Sequence, residues 1–249
     1  MIRKLFAEKK YFLPRVWSNE QLHSISHLFK GRIINVSGWT DEDKEGGTYK
    51  NDYFVNANEY FISNFKKEIR GVQGLKNEFF LDLTKSLPKE HVDKYDVVFN
   101  HTTLEHIYEF NIAFKNLCAL SKDIVVLVVP FLQQMHGNHR QDYDDYWRFS
   151  PLAIRKMFEK EGMIPLQITF NNHKHSSVYI FAVASKHPER WKNISTKLKL
   201  DCKKPLLDPF ENYAGCRAIT NPLYRIAVRA LFYLKDIVRK KRNKSKRQR

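Results

Sequence analysis

A chain of 249 residues with 43% hydrophobic and 14% aromatic residues can bury the core of one large domain, which excludes disorder as the default state. Cys118, Cys202 and Cys216 lie far apart, which excludes a CxxC metal site and a disulfide framework and fits a reducing compartment. The formal charge of +16 is uneven, because Arg239–Arg249 carries eight basic residues and no acid, half of the whole excess.

No stretch reaches the roughly 18 consecutive apolar residues of a membrane span. The opening MIRKLFAEKKYFLP breaks into charges too early for a signal peptide, so the expectation is a cytoplasmic protein. Residues 1–30 read as an N-terminal extension.

Arg32–Ser37 then reads as a buried strand that ends in Ser37, Gly38 and Trp39, where a glycine-rich turn is expected and an acidic run, TDEDKEGG, follows instead. That run reads as a lid, an acceptor-side wall or a solvated turn. The segment after it, YKNDYFVNANEYFISN, is dense in aromatics and asparagines and suits stacking on a flat or sugar-like ligand. Further strands are expected at Tyr60–Ser63, Glu78–Leu83, Asp96–Asn100, Ile124–Phe131, Leu166–Asn171 and Val178–Ser185.

A helix is expected over Thr103–Leu120, with Thr102 or Thr103 as its cap and Leu104, Ile107, Phe110, Phe114 and Leu117 on one face. A second begins at Ser150-Pro151 and ends at Gly162. Strands alternating with helices imply a mostly parallel sheet covered on both faces, an α/β Rossmann-like domain over residues 31–185. The short loop Asn172–Ser177 forces the last two strands into an antiparallel hairpin.

Residues 186–222 read as an irregular strap or linker. Leu223–Val238 follows as an amphipathic helix leading into the basic tail. Together they suit either an anionic membrane surface at the inner face or a packed helix with a solubilising end. A tail attracts phosphate without reading sequence, so nucleic acid is disfavoured as a partner.

In an open parallel sheet, ligands bind beyond the carboxyl ends of the strands. The polar residues at those ends are Ser37 and Gly38, then Asn64, then Asp82, then Asn100 and His101, and finally the loop QQMHGNHRQDYDDYWRF. In that loop His136, His139, Asp142 and Asp145 recur at a spacing of three, which on a loop could serve a metal; spacing alone does not fix loop geometry, and no metal is assigned.

The runs FFLDLTKSLP, YDVVFNHTTLEHI, AFKNLCALSKDIVVLVVPF and DYWRFSPLAIRKMFEKEG resemble the class I S-adenosylmethionine-dependent methyltransferases, in the branch often found in glycan biosynthesis. The resemblance covers about residues 30–185. It implies a seven-stranded sheet, S-adenosylmethionine as cofactor and a small-molecule or glycan acceptor.

By the same resemblance, Asn35, Ser37, Gly38 and Trp39 belong to the first cofactor loop. Asp82 takes the adenine amino group, Leu83 flanks the base, and Asn100 and His101 line the methyl-donor pocket. Asn64 stands where a carboxylate normally takes the ribose, and without charge assistance its hydrogen bonds are weaker. His136 or His139, with Asp145 beside them, would remove the acceptor proton, and Tyr146, Trp147 and Arg148 would meet the acceptor. A non-catalytic binding or scaffold protein of the same fold and an RNA methyltransferase are the competing readings.

Overall fold

The computed structural model describes residues 2–65, 71–133, 135–136, 144–171 and 178–192, with side chains from Pro14 onward. His139, Asp142, the hairpin loop, the expected helix at Leu223–Val238 and the basic tail lie outside the described residues.

Seven strands form one sheet: β1 (Gly31–Val36), β2 (Ala57–Asn64), β3 (Glu78–Phe80), β4 (Tyr95–His101), β5 (Ser121–Leu132), β6 (Ile164–Phe170) and β7 (Val178–Ser185). Their spatial order is β3-β2-β1-β4-β5-β7-β6, and β7 runs antiparallel to both of its neighbours. All other pairings are parallel. The expected architecture is therefore the observed one, including the terminal hairpin.

Period-two alternation assigns the core. Along β5, Ile124, Val126 and Val128 face one side of the sheet, and Val125, Leu127 and Val129 face the other. A strand buried on both faces needs apolar residues at every position, which is why this stretch reads as an unbroken run. Helices α2 (Phe110–Leu120) and α3 (Pro151–Lys160) cover the first layer through Phe114, Leu117, Ile154 and Phe158. Each fully buried side chain of this kind contributes about 1.5–3 kcal/mol.

The opposite face is closed by residues expected to do something else. Residues 2–26 form a long helix, α1 (Ile2–Ser26), whose Leu22 and Ile25 join Phe29 in the core. The N-terminal extension is thus an integral layer. Tyr49, Tyr53, Phe54 and Tyr60, read as ligand-stacking aromatics, are buried in the same cluster, with Tyr49 and Tyr53 on a single π-helical turn. They cover the face of the sheet that α1 leaves open; Tyr53, Phe54 and Tyr60 lie away from the cleft between the strand ends, and only Tyr49 borders it.

The helix expected from Thr103 starts only at Phe110, behind a separate turn at Leu104–His106. A continuous helix would need the Glu105 carbonyl as acceptor for residue 109. That oxygen is instead taken by the N–H groups of Tyr146 and Trp147, at 2.7 and 3.2 Å. Around α3 the local signals hold. Ser150 Oγ accepts the Ala153 N–H at 3.1 Å, Pro151 occupies the first turn, and Gly162 adopts φ of 72° to end it.

Candidate active site

Chain order reverses at the β1/β4 boundary, since β1 leads outward to β2 while β4 leads the other way to β5. Such a reversal leaves a crevice beyond the strand ends. A cleft of about 760 Å³ opens there. Small-ligand sites span about 300–1,000 Å³, so it has room for a nucleoside-sized molecule.

The loop after β1 makes one wall. It has one glycine near the turn, yet Ser37, Trp39, Asp41 and Lys44 all have positive φ, from 48° to 68°. Left-handed backbone at a non-glycine residue costs about 1–2 kcal/mol, so the fold must hold the loop by other contacts. Those contacts are visible. Asp41, buried, accepts from Asn35 Nδ2 at 2.7 Å, from Tyr60 Oη at 2.7 Å and from the Lys50 N–H at 2.9 Å. Burial pushes its carboxyl upward, and these donors oppose that.

Asp43 is also buried; it accepts the N–H groups of Glu45 and Gly47 at 2.7 and 2.9 Å, and Asn19 of α1 donates to its carbonyl. Two of the four acids in the run are therefore inside the fold, while Glu42 and Glu45 remain exposed. The solvated-turn reading fails for Asp41 and Asp43.

Asn64, at the end of β2, is spent on the same loop. Its Oδ1 accepts the Trp39 N–H at 2.7 Å, and its Nδ2 donates to the Trp39 carbonyl and to Glu78 Oε1 at 3.2 and 2.5 Å. Asp82 caps its own turn through Oδ1, which takes the N–H and hydroxyl of Thr84 at 2.8 and 2.7 Å. Asp82, Leu83 and Thr84 line the cleft.

At the end of β4 a closed ring of hydrogen bonds fixes His101. The hydroxyl of Ser18 donates to the Arg15 carbonyl at 2.8 Å, so toward His101 Nε2, 2.9 Å away, its oxygen acts as acceptor. Nε2 then carries the proton and Nδ1 accepts from the Thr102 hydroxyl at 3.1 Å, while Arg15 donates to Thr102 Oγ1 at 3.1 Å and to Tyr49 Oη at 3.0 Å. Burial and the Arg15 charge keep the ring neutral, well below the usual histidine range. Arg15 and Ser18 come from α1, a helix whose place over the strand ends no local sequence signal announces. Asn100, by contrast, is fully buried behind this wall and holds the Val36 carbonyl at 2.9 Å.

The far end of the cleft gathers Glu105, His106, His136 and Asp145. His106 Nδ1 lies 2.6 Å from the Asp144 carbonyl, and His136 Nδ1 lies 2.9 Å from Asp145 Oδ2. Arg148 grips Asp145 with both terminal nitrogens, at 2.5 and 2.6 Å. Burial would raise the Asp145 carboxyl, but Arg148 and the His136 N–H outweigh it and hold it at about 2. Asp145 stays ionised as an orienting group. Glu105 is wholly buried, and that burial pushes its carboxyl up to about 8.

Of the expected acceptor contacts, Tyr146 lines the cleft beside Tyr108, at a ring separation of 5.4 Å. Trp147 faces away, donating to the carbonyls of Ile107 and Tyr108, and Arg148 braces the loop. Asn35, Ser37, Gly38, Trp39, Asn64, Asp82, Leu83, His101 and His136 all border the cleft, whereas Asn100, Trp147, Arg148 and Asp145 support it from behind. The sequence points to none of Arg15, Glu105 and Tyr108, and it reads His106, at the start of the expected helix, as a structural histidine. The LEH run carried the only signal for two of them.

No known family profile matches the chain, and no curated protein matches it in sequence. Solved structures do. One is a chain of the Haloferax volcanii complex between the Trm112 methyltransferase activator and a methyltransferase, with a TM-score of 0.50 and 10% identity over 74% of this chain and 92% of that one. Another is a Clostridium acetobutylicum S-adenosylmethionine-dependent methyltransferase, with a TM-score of 0.49 and 12% identity over 74% of this chain and 99% of that one. A third is the 1,6-didemethyltoxoflavin-N1-methyltransferase of Burkholderia thailandensis with bound S-adenosylhomocysteine, at 0.48 and 13%, over 74% of this chain and 81% of that one. The likeness shows the fold: a seven-stranded Rossmann-like methyltransferase sheet.

Proposed function

We propose that the chain is an S-adenosylmethionine-dependent methyltransferase that methylates a hydroxyl of a sugar or glycan precursor. One observation carries the reading. The crevice at the β1/β4 reversal is still open, at about 760 Å³, although the loop beside it has been rebuilt around Asp41 and Asn64.

The lining suits the cofactor. Adenosine would lie by Asp82, which supplies an acceptor for the adenine amino group, and by the apolar Leu81 and Leu83. The amino-acid end would lie by Ser37 and Gly38, with the Arg15 guanidinium as counter-charge to its carboxylate. Two of the five N–H donors of Arg15 are used within the protein. When bound, the cofactor supplies an electrophilic methyl group on a sulfonium.

The residues of the chain supply positioning. Tyr108 and Tyr146, 63% and 46% exposed, offer ring faces at the other end of the cleft, which is what a sugar ring stacks on. Activation of the acceptor hydroxyl falls to the cluster around His136. The basic tail supports a location at an anionic membrane surface, where lipid-linked acceptors are found, at about 1 kcal/mol per Lys or Arg.

A second reading has its own support. Asn64 is occupied by the Trp39 loop and offers no ribose carboxylate, as in a binding module that has lost its donor. Calorimetric titration of the full chain with S-adenosylmethionine separates the two. One molecule bound per chain, followed by methyl transfer to free or nucleotide-linked sugars, supports the enzyme; no binding at millimolar donor leaves the module.

A further inference from the structure

We propose that Glu105, His106 and His136 form a site for one divalent transition-metal cation of the manganese, cobalt or zinc class. Each residue offers one ligand atom, and the three atoms lie within 4.8 Å of one another.

Three independent features point to a cation. The first is tautomer. The nearest partner of Nδ1 is an oxygen in both imidazoles, the Asp144 carbonyl at 2.6 Å and, at 2.9 Å, the Asp145 carboxylate that Arg148 grips, with Gln133 Nε2 farther from His136 at 3.5 Å, so both rings place their protons on Nδ1. Each Nε2 is then a lone pair, and a histidine whose other nitrogen donates to an oxygen is the usual form of a metal ligand. The second is the carboxylate. Glu105 is wholly buried, and neither of its oxygens has a hydrogen-bond partner among the described residues. Burying such a group without a hydrogen bond is costly, and a cation held between it and His106 Nε2, 3.7 Å from Oε1, is a partner that removes the cost. Arg148, the cation on the neighbouring loop, has both of its terminal nitrogens on Asp145.

The third is the donor set. Two imidazoles and one carboxylate suit borderline transition metals, whereas magnesium and calcium prefer oxygen throughout. Three protein ligands also leave positions open for another oxygen, and His106 and His136 both border the cleft.

The use made of the cation rests on the methyltransferase reading; the site itself does not. An acceptor hydroxyl at an open position has its pKa lowered and releases its proton to water. Its oxygen then bonds to the methyl carbon while the carbon–sulfur bond breaks, leaving the electron pair on sulfur. His136 is a ligand in that scheme, where the sequence suggested a base.

Untagged full-length chain, stripped with EDTA, is titrated with Co²⁺ and with Zn²⁺ by calorimetry and visible absorption, and separately with S-adenosylmethionine. One cation per chain is expected, with a visible Co²⁺ spectrum, and Glu105→Gln and His136→Gln should each weaken binding by about 100-fold. Absence of uptake by the wild type, or uptake unchanged in both variants, overturns the site. If Glu105→Gln does not fold, His136→Gln decides alone, because its side chain is partly exposed. A chain that binds the donor but no cation loses only this site; one that binds the cation but no donor keeps it and loses the methyltransferase reading.

Discussion

Asn64 closes on the backbone of Trp39 from both sides, accepting its N–H at 2.7 Å and donating to its carbonyl at 3.2 Å. The same amide donates to Glu78. The position where a methyltransferase-like sheet would put a ribose carboxylate is therefore used to hold a loop. A carboxylate there could not donate and would face both the Trp39 carbonyl and the Glu78 side chain. Asn64→Asp is expected to lower unfolding free energy by about 2–4 kcal/mol and not to strengthen donor binding. Thermal unfolding with calorimetry checks this; tighter donor binding at unchanged stability would sink it.

Gly38 is required for space. A Cβ there would meet the Asn35 amide at 2.6 Å from Nδ2 and 2.7 Å from Cγ. Asn35 cannot retreat without weakening its bond to Asp41, itself one of the four left-handed residues of this loop. Gly38→Ala should destabilise the fold by about 1–3 kcal/mol and reduce donor affinity in parallel. Measured stability equal to wild type would show that the loop yields more easily than its contacts imply.

Asp82→Asn tests the adenine end with little disturbance. An amide oxygen can still accept from Thr84, so the turn survives while the charge is lost. A hydrogen bond to a charged group is worth about 1.5–3 kcal/mol, which predicts roughly ten- to hundredfold weaker donor binding at near wild-type melting temperature. Equal affinity in the two proteins would move the adenine elsewhere.

The His101 ring makes stability depend on pH. In the unfolded chain it takes a proton near pH 6.5, and in the folded chain burial and Arg15 keep it neutral to well below that. The unfolded state then binds more protons below pH 6.5. The stabilisation is fully present above that pH and is lost as pH falls, by at most about 1.4 kcal/mol per unit. His101→Asn should flatten the slope of unfolding free energy between pH 6.5 and 5, as read from denaturant titrations; parallel slopes in the two proteins would contradict the neutral ring.

Much of this site could be read from strand ends alone. Ser37, Gly38, Asn64, Asp82 and His101 follow apolar runs whose alternation fixes where each strand stops, and the crevice forms at those stops. What escaped the sequence came from elements whose patterning is weak. The sequence of helix α1 intersperses charges among its apolar residues, so nothing local says that Arg15 and Ser18 reach His101. The aromatics at 49–60 look equally suited to a ligand or a core, and only the uncovered sheet face decides for the core.

The acidic run shows the same division. Composition distinguishes four acids from a glycine-rich turn, but whether a carboxylate is solvated or buried depends on donors far away in the chain, here Tyr60 for Asp41 and Tyr53 for Asp43. Periodicity and turn chemistry, which act between near neighbours, determined the strands, their parallel order and the final hairpin. The pairing of His136 with Asp145 and the gathering of His136 with Glu105 and His106 were decided by the packing of two loops across the sheet edge, since hydrogen bonds and buried charge depend on distance in space and sequence spacing does not encode it.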